Sequence, residues 1–319
     1  MTPDDPRDLP DLLVVDLSSR GLRARRTGGR ADGRVDAPWL LIADGLVIGD
    51  LLAAVAPLLQ SDAPDPAAIV WSVAGLPSAL DAAALLSGAS ALTRSSHHVV
   101  VDGGVATLAG ALDEVAPGVV LDMGVGVHAL ATDFDRTWRR IDGWGPLLGG
   151  RGSAAWLGSE GLAAGLRYRD GVPGGSAALL DAGRRAFGDE HTWADLLLAH
   201  TPVAVLADFA PVVGEVAASD PIAEGICRLA GEHLADTICA GSTLLPQAPI
   251  TATGGLLLID AVKVSFASAL GKRCRFLVPA LGDSLAGARR LAEHLAAGGR
   301  LPHHPPYVAV EGRSALPSH

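Results

Sequence analysis

Cysteine is scarce in this chain of 319 residues: Cys227, Cys239 and Cys274 are the only three. None stands at a CxxC spacing, so the sequence offers no zinc knuckle and no dithiol motif. A sparse, odd set fits a reducing compartment, where free thiols serve as small buried apolar groups. Positive charge is also in deficit. Twenty-five basic residues against 35 acidic ones give a net charge of −10. No basic stripe appears, which excludes nucleic acid as a partner, and the acidity serves solubility. The opening MTPDDPRDLPD has neither a basic region nor an apolar core, so no signal peptide is expected and the setting reads as cytoplasmic. The apolar stretch over residues 39–59 is interrupted by Asp44, Gly45, Gly49, Asp50 and Pro57. It reads as a helix buried in a soluble protein, with no membrane partner. No repeat of solenoid period is present.

What the chain does have is an apolar, alternating pattern. Hydrophobic residues make up 49% and charged ones 19%, enough for one large or two medium globular domains. Short apolar runs at 12–16, 68–73, 99–101 and 119–122 read as buried strands, the first, third and fourth ending in Asp16, Asp102 and Asp122. Helical spacing covers 46–60 and 103–114 between them. This alternation predicts an α/β fold. From Ser153 onward alanine- and leucine-rich helices dominate, at 203–217, 220–240 and 283–297, with one further strand at 249–253. The domains expected are an α/β lobe over 1–115, a helix-rich α/β lobe over 116–299 and a flexible tail over 300–319. The helix at 283–297 is a candidate to pack back on the first lobe.

The most specific stretch is residues 142–158, DGWGPLLGGRGSAAWLG. It resembles the GGWGxLLGDEGSGYWIG signature of N-acetylglucosamine kinase-like proteins, the BadF/BadG/BcrA/BcrD ATPase family of the actin-like ATPase and sugar kinase superfamily. The resemblance implies a two-lobed, ribonuclease H-like fold and transfer of the ATP γ-phosphate to an amino-sugar hydroxyl with Mg²⁺. Further segments fall in the family's order. Residues 16–24, DLSSRGLRA, align with its first phosphate motif DGGGTKTRA. There Asp16 would hold the metal, and Ser18 and Ser19 stand where glycines let backbone N–H groups approach phosphate. Residues 101–111 resemble NDAxAALxGA, which makes Asp102 the catalytic base. Residues 119–127 match the second phosphate motif, keeping Gly124 and Gly126. Residues 251–256 resemble the adenosine-side GGV turn through Gly254 and Gly255. Within the signature, Trp144, Gly145, Gly152 and Ser153 are the implied sugar-side residues. Residues 211–238 match the family's PxVxEAA helices, an architectural likeness.

The departures cluster on polar groups. Leu17, Ser18 and Ser19 replace three glycines, Val125 and Val127 replace hydroxyl residues, and Gly150-Arg151 replaces an Asp-Glu pair. Two readings follow. One is an active ATP-dependent amino-sugar kinase with Asp102 as base and Asp16 on the metal. The other is a degenerate kinase that keeps its ligand site and has lost turnover, and three losses together favour it. Either implies a small-molecule sugar and nucleotide as partners, and a homodimer is left open. The group's iron–sulfur activators are set aside, because the cysteines lie in the helical half at unrelated positions. Taken alone, Asp16 is equally a strand-end turn former and Asp102 equally a helix cap. The pairs His97-His98 and His303-His304 read as surface histidines. Trp39, Trp71, Trp138, Trp156 and Trp193 read as core.

Overall fold

The structure is a computed structural model, and it describes residues 10–18, 21–28, 32–38, 47–59, 64–75, 81–95, 97–199, 202–273 and 275–311. The chain forms two compact units. The first comprises Met1–Gly118, Thr132–Trp138 and Pro279–His319, and the second Val119–Ala131 and Arg139–Val278.

In chain order the first unit holds β1 (Leu12–Ser18), β2 (Gly21–Thr27), β3 (Gly33–Ala37), α1 (Ile48–Leu59), β4 (Ala68–Val73), α2 (Ala82–Ser90), β5 (His98–Asp102) and α3 (Gly103–Leu112). It is completed near the C-terminus by α10 (Ser284–Ala296) and β10 (Val308–Val310). Its six strands run in the order β10-β5-β4-β1-β2-β3. β1, β4 and β5 are parallel, while β2, β3 and β10 pair antiparallel with their neighbours. The parallel strands are almost uninterrupted apolar runs because both faces are covered. Leu51, Val55 and Leu58 of α1 and Leu85, Leu86 and Ala89 of α2 pack on Leu13, Val15, Ile69 and Trp71. α10 packs against α3, β1 and β4.

The α3–α10 crossing is set by glycine. A Cβ on Gly287 would lie 1.7 Å from the Ala106 carbonyl oxygen, and one on Gly110 would lie 2.1 Å from that of Asp283. Only hydrogen side chains allow the two backbones to meet this closely.

The second unit holds β6 (Gly118–Met123), β7 (Val127–Thr132), β8 (Trp138–Asp142), α4 (Ala154–Arg169), α5 (Ala177–Phe187), α6 (Trp193–Ala199), α7 (Pro202–Val216), α8 (Pro221–Ser242), β9 (Ile250–Thr253) and α9 (Asp260–Lys272). Its sheet runs β8-β7-β6-β9, with β6 and β9 parallel. The order repeats β3-β2-β1-β4 of the first unit, a duplication that the sequence does not display. Its core gathers Val119, Leu121 and Met123 with Leu157, Phe209, Leu234 and Phe266.

One strand goes unread in the sequence, and one expectation needs adjusting. β2 reads GLRARRT and carries no obvious apolar alternation, yet Leu22, Ala24 and Arg26 all point inward. Arg26 is only 2% exposed; its Nη2 pairs with Asp11 at 2.7 Å and its Nη1 donates to the Leu58 carbonyl. The tail expected to be flexible is placed as far as Glu311. Val308 pairs with Val101 and Val310 with Val99, and the Trp138 ring stacks on His304 and Tyr307. An edge strand and an aromatic stack hold a segment whose proline and histidine content suggested a loop.

Candidate functional site

β1 and β5 are parallel strands separated by β4, so their C-terminal ends lie on one sheet edge. Asp16 stands opposite Ser72, and Val73 stands opposite Asp102. Two strand spacings set the acids roughly 10 Å apart. This edge therefore carries both acids singled out in the sequence.

Asp16 is fully buried and engaged through both oxygens. The Ser72 hydroxyl donates to Oδ1 at 3.1 Å. Arg23, its register partner on β2, donates to Oδ2 through Nη2 at 2.6 Å and Nε at 3.2 Å. The same guanidinium reaches Asp283, the N-cap of α10, at 2.6 Å, and Ser284 at 3.3 Å. Burial opposes the charge on Arg23, but its bonds to Asp283 and Asp16 prevail and raise its pKa. Arg23 stands at the arginine of the quoted phosphate motif, so this pairing comes with the motif. Ser18 closes β1 opposite Gly21, while Ser19 and Arg20 fall outside the described residues.

Asp102 is 3% exposed and caps α3, its Oδ1 accepting the Gly104 N–H at 2.8 Å. Its own N–H donates to the Tyr307 carbonyl. The cap role read from the residues alone is thus present, at a strand end where a base also belongs.

In the second unit three further motifs converge. Gly124 and Val125 lend their carbonyls to the N–H groups of Ala154 and Ala155, the first two of α4. Ser153 caps that helix through Trp156 N–H and is buried. The first-turn donors of α4 are thereby satisfied by protein. The Gly124 N–H is likewise spent on the Gly126 carbonyl. Gly254 sits against β6, where a Cβ would fall 1.9 Å from the Met123 carbonyl oxygen, and its φ of +120° suits glycine alone. Gly255 opens the short 3-10 turn Gly255–Leu258. Gly124, Gly126, Ser153 and Gly254 therefore form one neighbourhood.

The signature loop is held from inside. Asp142, in the left-handed region at φ +61°, accepts the N–H groups of Gly143 and Gly150. The Gly149 N–H closes on the Gly145 carbonyl. Trp144 is 73% exposed, and Leu147 and Leu148 more so. Gly152 abuts the Ala230 carbonyl of α8. Arg151 donates from Nη2 to His233 Nε2 at 2.9 Å. Burial and Arg151 push the His233 pKa down, leaving it a neutral acceptor.

A Mg²⁺ ion needs carboxylate oxygens that are open to it and to water. Asp16 is sealed from solvent and bonded through both oxygens, and the signature supplies Gly150 and Arg151 in place of acids. As arranged, these residues do not fit the ion. Among the described residues, Asp189, Glu190 and His191 come close enough to share a cation, but Glu190 is bound by Arg184 and Arg169.

The model of the BadF/BadG/BcrA/BcrD ATPase family matches residues 72–277, well over half of the sequence. The chain belongs to this family. Among curated proteins none matches it. Solved structures do. A protein from Chromobacterium violaceum, provisionally assigned as an N-acetylglucosamine kinase, is 26% identical, with a TM-score of 0.68 over 89% of this chain and 99% of that one. A similarly assigned protein from Porphyromonas gingivalis is 18% identical, with a TM-score of 0.69 over 89% and 98%. A ROK-family glucokinase from Streptomyces griseus, crystallised with glucose and AMPPNP, gives 16% and 0.52 over 89% and 99%. The fold is that of actin-like ATPases and sugar kinases.

For this member of the BadF/BadG/BcrA/BcrD ATPase family, sequence reasoning singled out Asp16 and Asp102 and missed their partners. Ser72, Asp283 and His233 carry no motif signal, since each acts on a residue more than fifty positions away. Asp142 was nearer to hand, as an acid opening a glycine-rich loop. No helix among the described residues is long and apolar enough to cross a membrane.

Proposed function

We propose that this chain is a degenerate member of its kinase-like family, one that keeps a small-molecule site and has little or no phosphotransfer. The observation that carries the reading is Arg151, which with Gly150 stands in place of the signature's acidic pair and is turned onto His233. As arranged, Asp16 has both oxygens taken, by Arg23 and Ser72, which supports the same reading. Val125 and Val127 add to it by supplying no hydroxyl to a phosphate. Each lost charge-assisted hydrogen bond is worth roughly 1.5–3 kcal/mol, so two weaken nucleotide binding by about a hundredfold or more. The ligand carried over from the relatives is an amino sugar with a nucleotide, in a cytoplasmic setting. Titration calorimetry with MgATP, alongside a coupled ADP-release assay with N-acetylglucosamine or glucosamine, is the test. We expect weak binding and no sugar-stimulated ADP. Micromolar MgATP binding with sugar-stimulated release overturns the reading.

One observation favours the alternative of an active amino-sugar kinase. Asp102 lies at the same sheet edge as Asp16, where a base could take a proton from a sugar hydroxyl. If turnover is found, Asp102→Asn lowers it by about 10² to 10⁴. Asparagine caps helices as well as aspartate does, so the variant stays folded. An unchanged rate removes Asp102 from the chemistry.

A further inference from the structure

Within the first unit a cavity of about 770 Å³ is lined by His97, His98, Leu295, Arg300, Leu301 and Glu311 among others. It lies at the N-terminal end of β5, roughly 13 Å along the strand from Asp102. It therefore stands apart from the sheet edge that carries the two acids. The volume falls in the range of small-molecule sites.

The cavity has a fixed anionic point. The indole N–H of Trp71 donates to His98 Nε2 at 3.0 Å, which puts the ring proton of neutral His98 on Nδ1. Nδ1 faces the Ser90 hydroxyl at 3.3 Å and the Glu311 carboxylate at 3.7 Å. Burial holds the His98 pKa down at about 4, so the ring remains neutral near pH 7. Ser90 donates to Glu311 at 2.5 Å, and the Glu311 N–H donates to the His98 carbonyl. The carboxylate is thus anchored, yet its side chain is 43% exposed. The cavity also has a cationic point. Arg300 lines it, and among the described residues no side chain pairs with that guanidinium. Val99, Leu295, Leu301 and Val310 add apolar lining to the polar groups of both signs.

We infer that this cavity binds a small zwitterion with an apolar body: an ammonium at Glu311, a carboxylate at Arg300 and His97, and aliphatic groups over Leu295 and Leu301. An amino acid and a short peptide share that chemistry, and the volume favours the peptide. The site is independent of whether phosphotransfer survives. Its walls are also the far ends of two elements that serve the acids. β5 ends at Asp102, and α10 runs roughly 16 Å from Ser284, beside the Asp283 that pairs with Arg23, to Leu295.

The test is calorimetry of the full chain with L-leucyl-L-leucine and with L-leucine, against N-acetyl-leucyl-leucine and leucyl-leucinamide as singly blocked controls. We expect saturable binding of a zwitterion, tighter for the dipeptide, with each blocked form about tenfold weaker. Arg300→Gln and Glu311→Gln are exposed substitutions that leave the fold intact, as their melting temperatures will check. Each weakens the zwitterion by about tenfold, and each removes the advantage over the control blocked at its own end. Absence of saturable binding up to about 10 mM, equal binding of blocked and free forms, or wild-type affinity in both variants overturns the proposal.

Discussion

At the residue scale, burial of polar groups decides which side chains remain available for chemistry. Asp16 is the clearest instance. Removing Arg23 leaves its carboxylate buried without a counter-ion, a change that typically costs about 3–5 kcal/mol. We expect Arg23→Ala to lower stability in that range in urea titrations. A loss below about 1 kcal/mol would show that the pair is dispensable. His98 supplies a pH dependence. Its folded pKa of about 4 lies below the unfolded value of 6.5, with burial the chief cause. The folded state therefore binds fewer protons, so the stabilisation is complete above pH 6.5 and is lost as pH falls toward 4. The slope from this group approaches about 1.4 kcal/mol per pH unit within that window. His98→Gln keeps an acceptor for Trp71 and has no proton to gain. Its stability profile should be flatter than that of the wild type between pH 6.5 and 4, and parallel profiles would exclude His98 as the source.

At the element scale, glycines serve opposite roles according to what surrounds them. Gly287 and Gly110 let α10 and α3 approach backbone to backbone, whereas Gly225, inside α8, has nothing within 4 Å of its Cβ position. Gly287→Ala should therefore destabilise by about 1–3 kcal/mol or more through overpacking. Gly225→Ala should stabilise by roughly 0.5–1 kcal/mol through helix propensity. Thermal melts of the two variants check the contrast, and the same sign for both would refute the packing account. Signature Gly152, with φ +83° and the Ala230 carbonyl 2.7 Å from its Cβ position, belongs with the first kind. Loop shape alone therefore calls for glycine at this position, whatever its part in sugar contact.

At the scale of the whole molecule, two sheets share a strand order, and the chain returns to the first unit for α10 and β10. That return makes the C-terminal segment structural. Deleting residues 303–319 removes β10, the Tyr307 carbonyl that bonds Asp102 N–H, and the stack on Trp138. Scanning calorimetry should show a midpoint lowered by several degrees. An unchanged midpoint would return the segment to the status of a loose tail.

The sequence by itself determined the α/β class, most parallel strands and long helices, and an acid at the end of β5, while β1 runs two residues beyond Asp16. These are local matters. Apolar runs such as AIVWSV and helical spacing report burial directly, and the family's motif order supplies the rest. It hid β2, because an inward arginine such as Arg26 breaks the apolar alternation and is legible only once Asp11 and the Leu58 carbonyl are in place. Only the tertiary structure decided whether Asp16 is open or closed, where Arg151 finds an acceptor, and that residues 97–99 and 295–311 enclose a cavity. Each of these depends on groups far apart in sequence: Arg23 meets Asp283, Arg151 meets His233, and Ser90 meets Glu311. A strand-end aspartate has the same local signature whether it faces a metal or a guanidinium. The choice between them is made by the register of β1 against β2 and by the helix that α10 brings back from the far end of the chain.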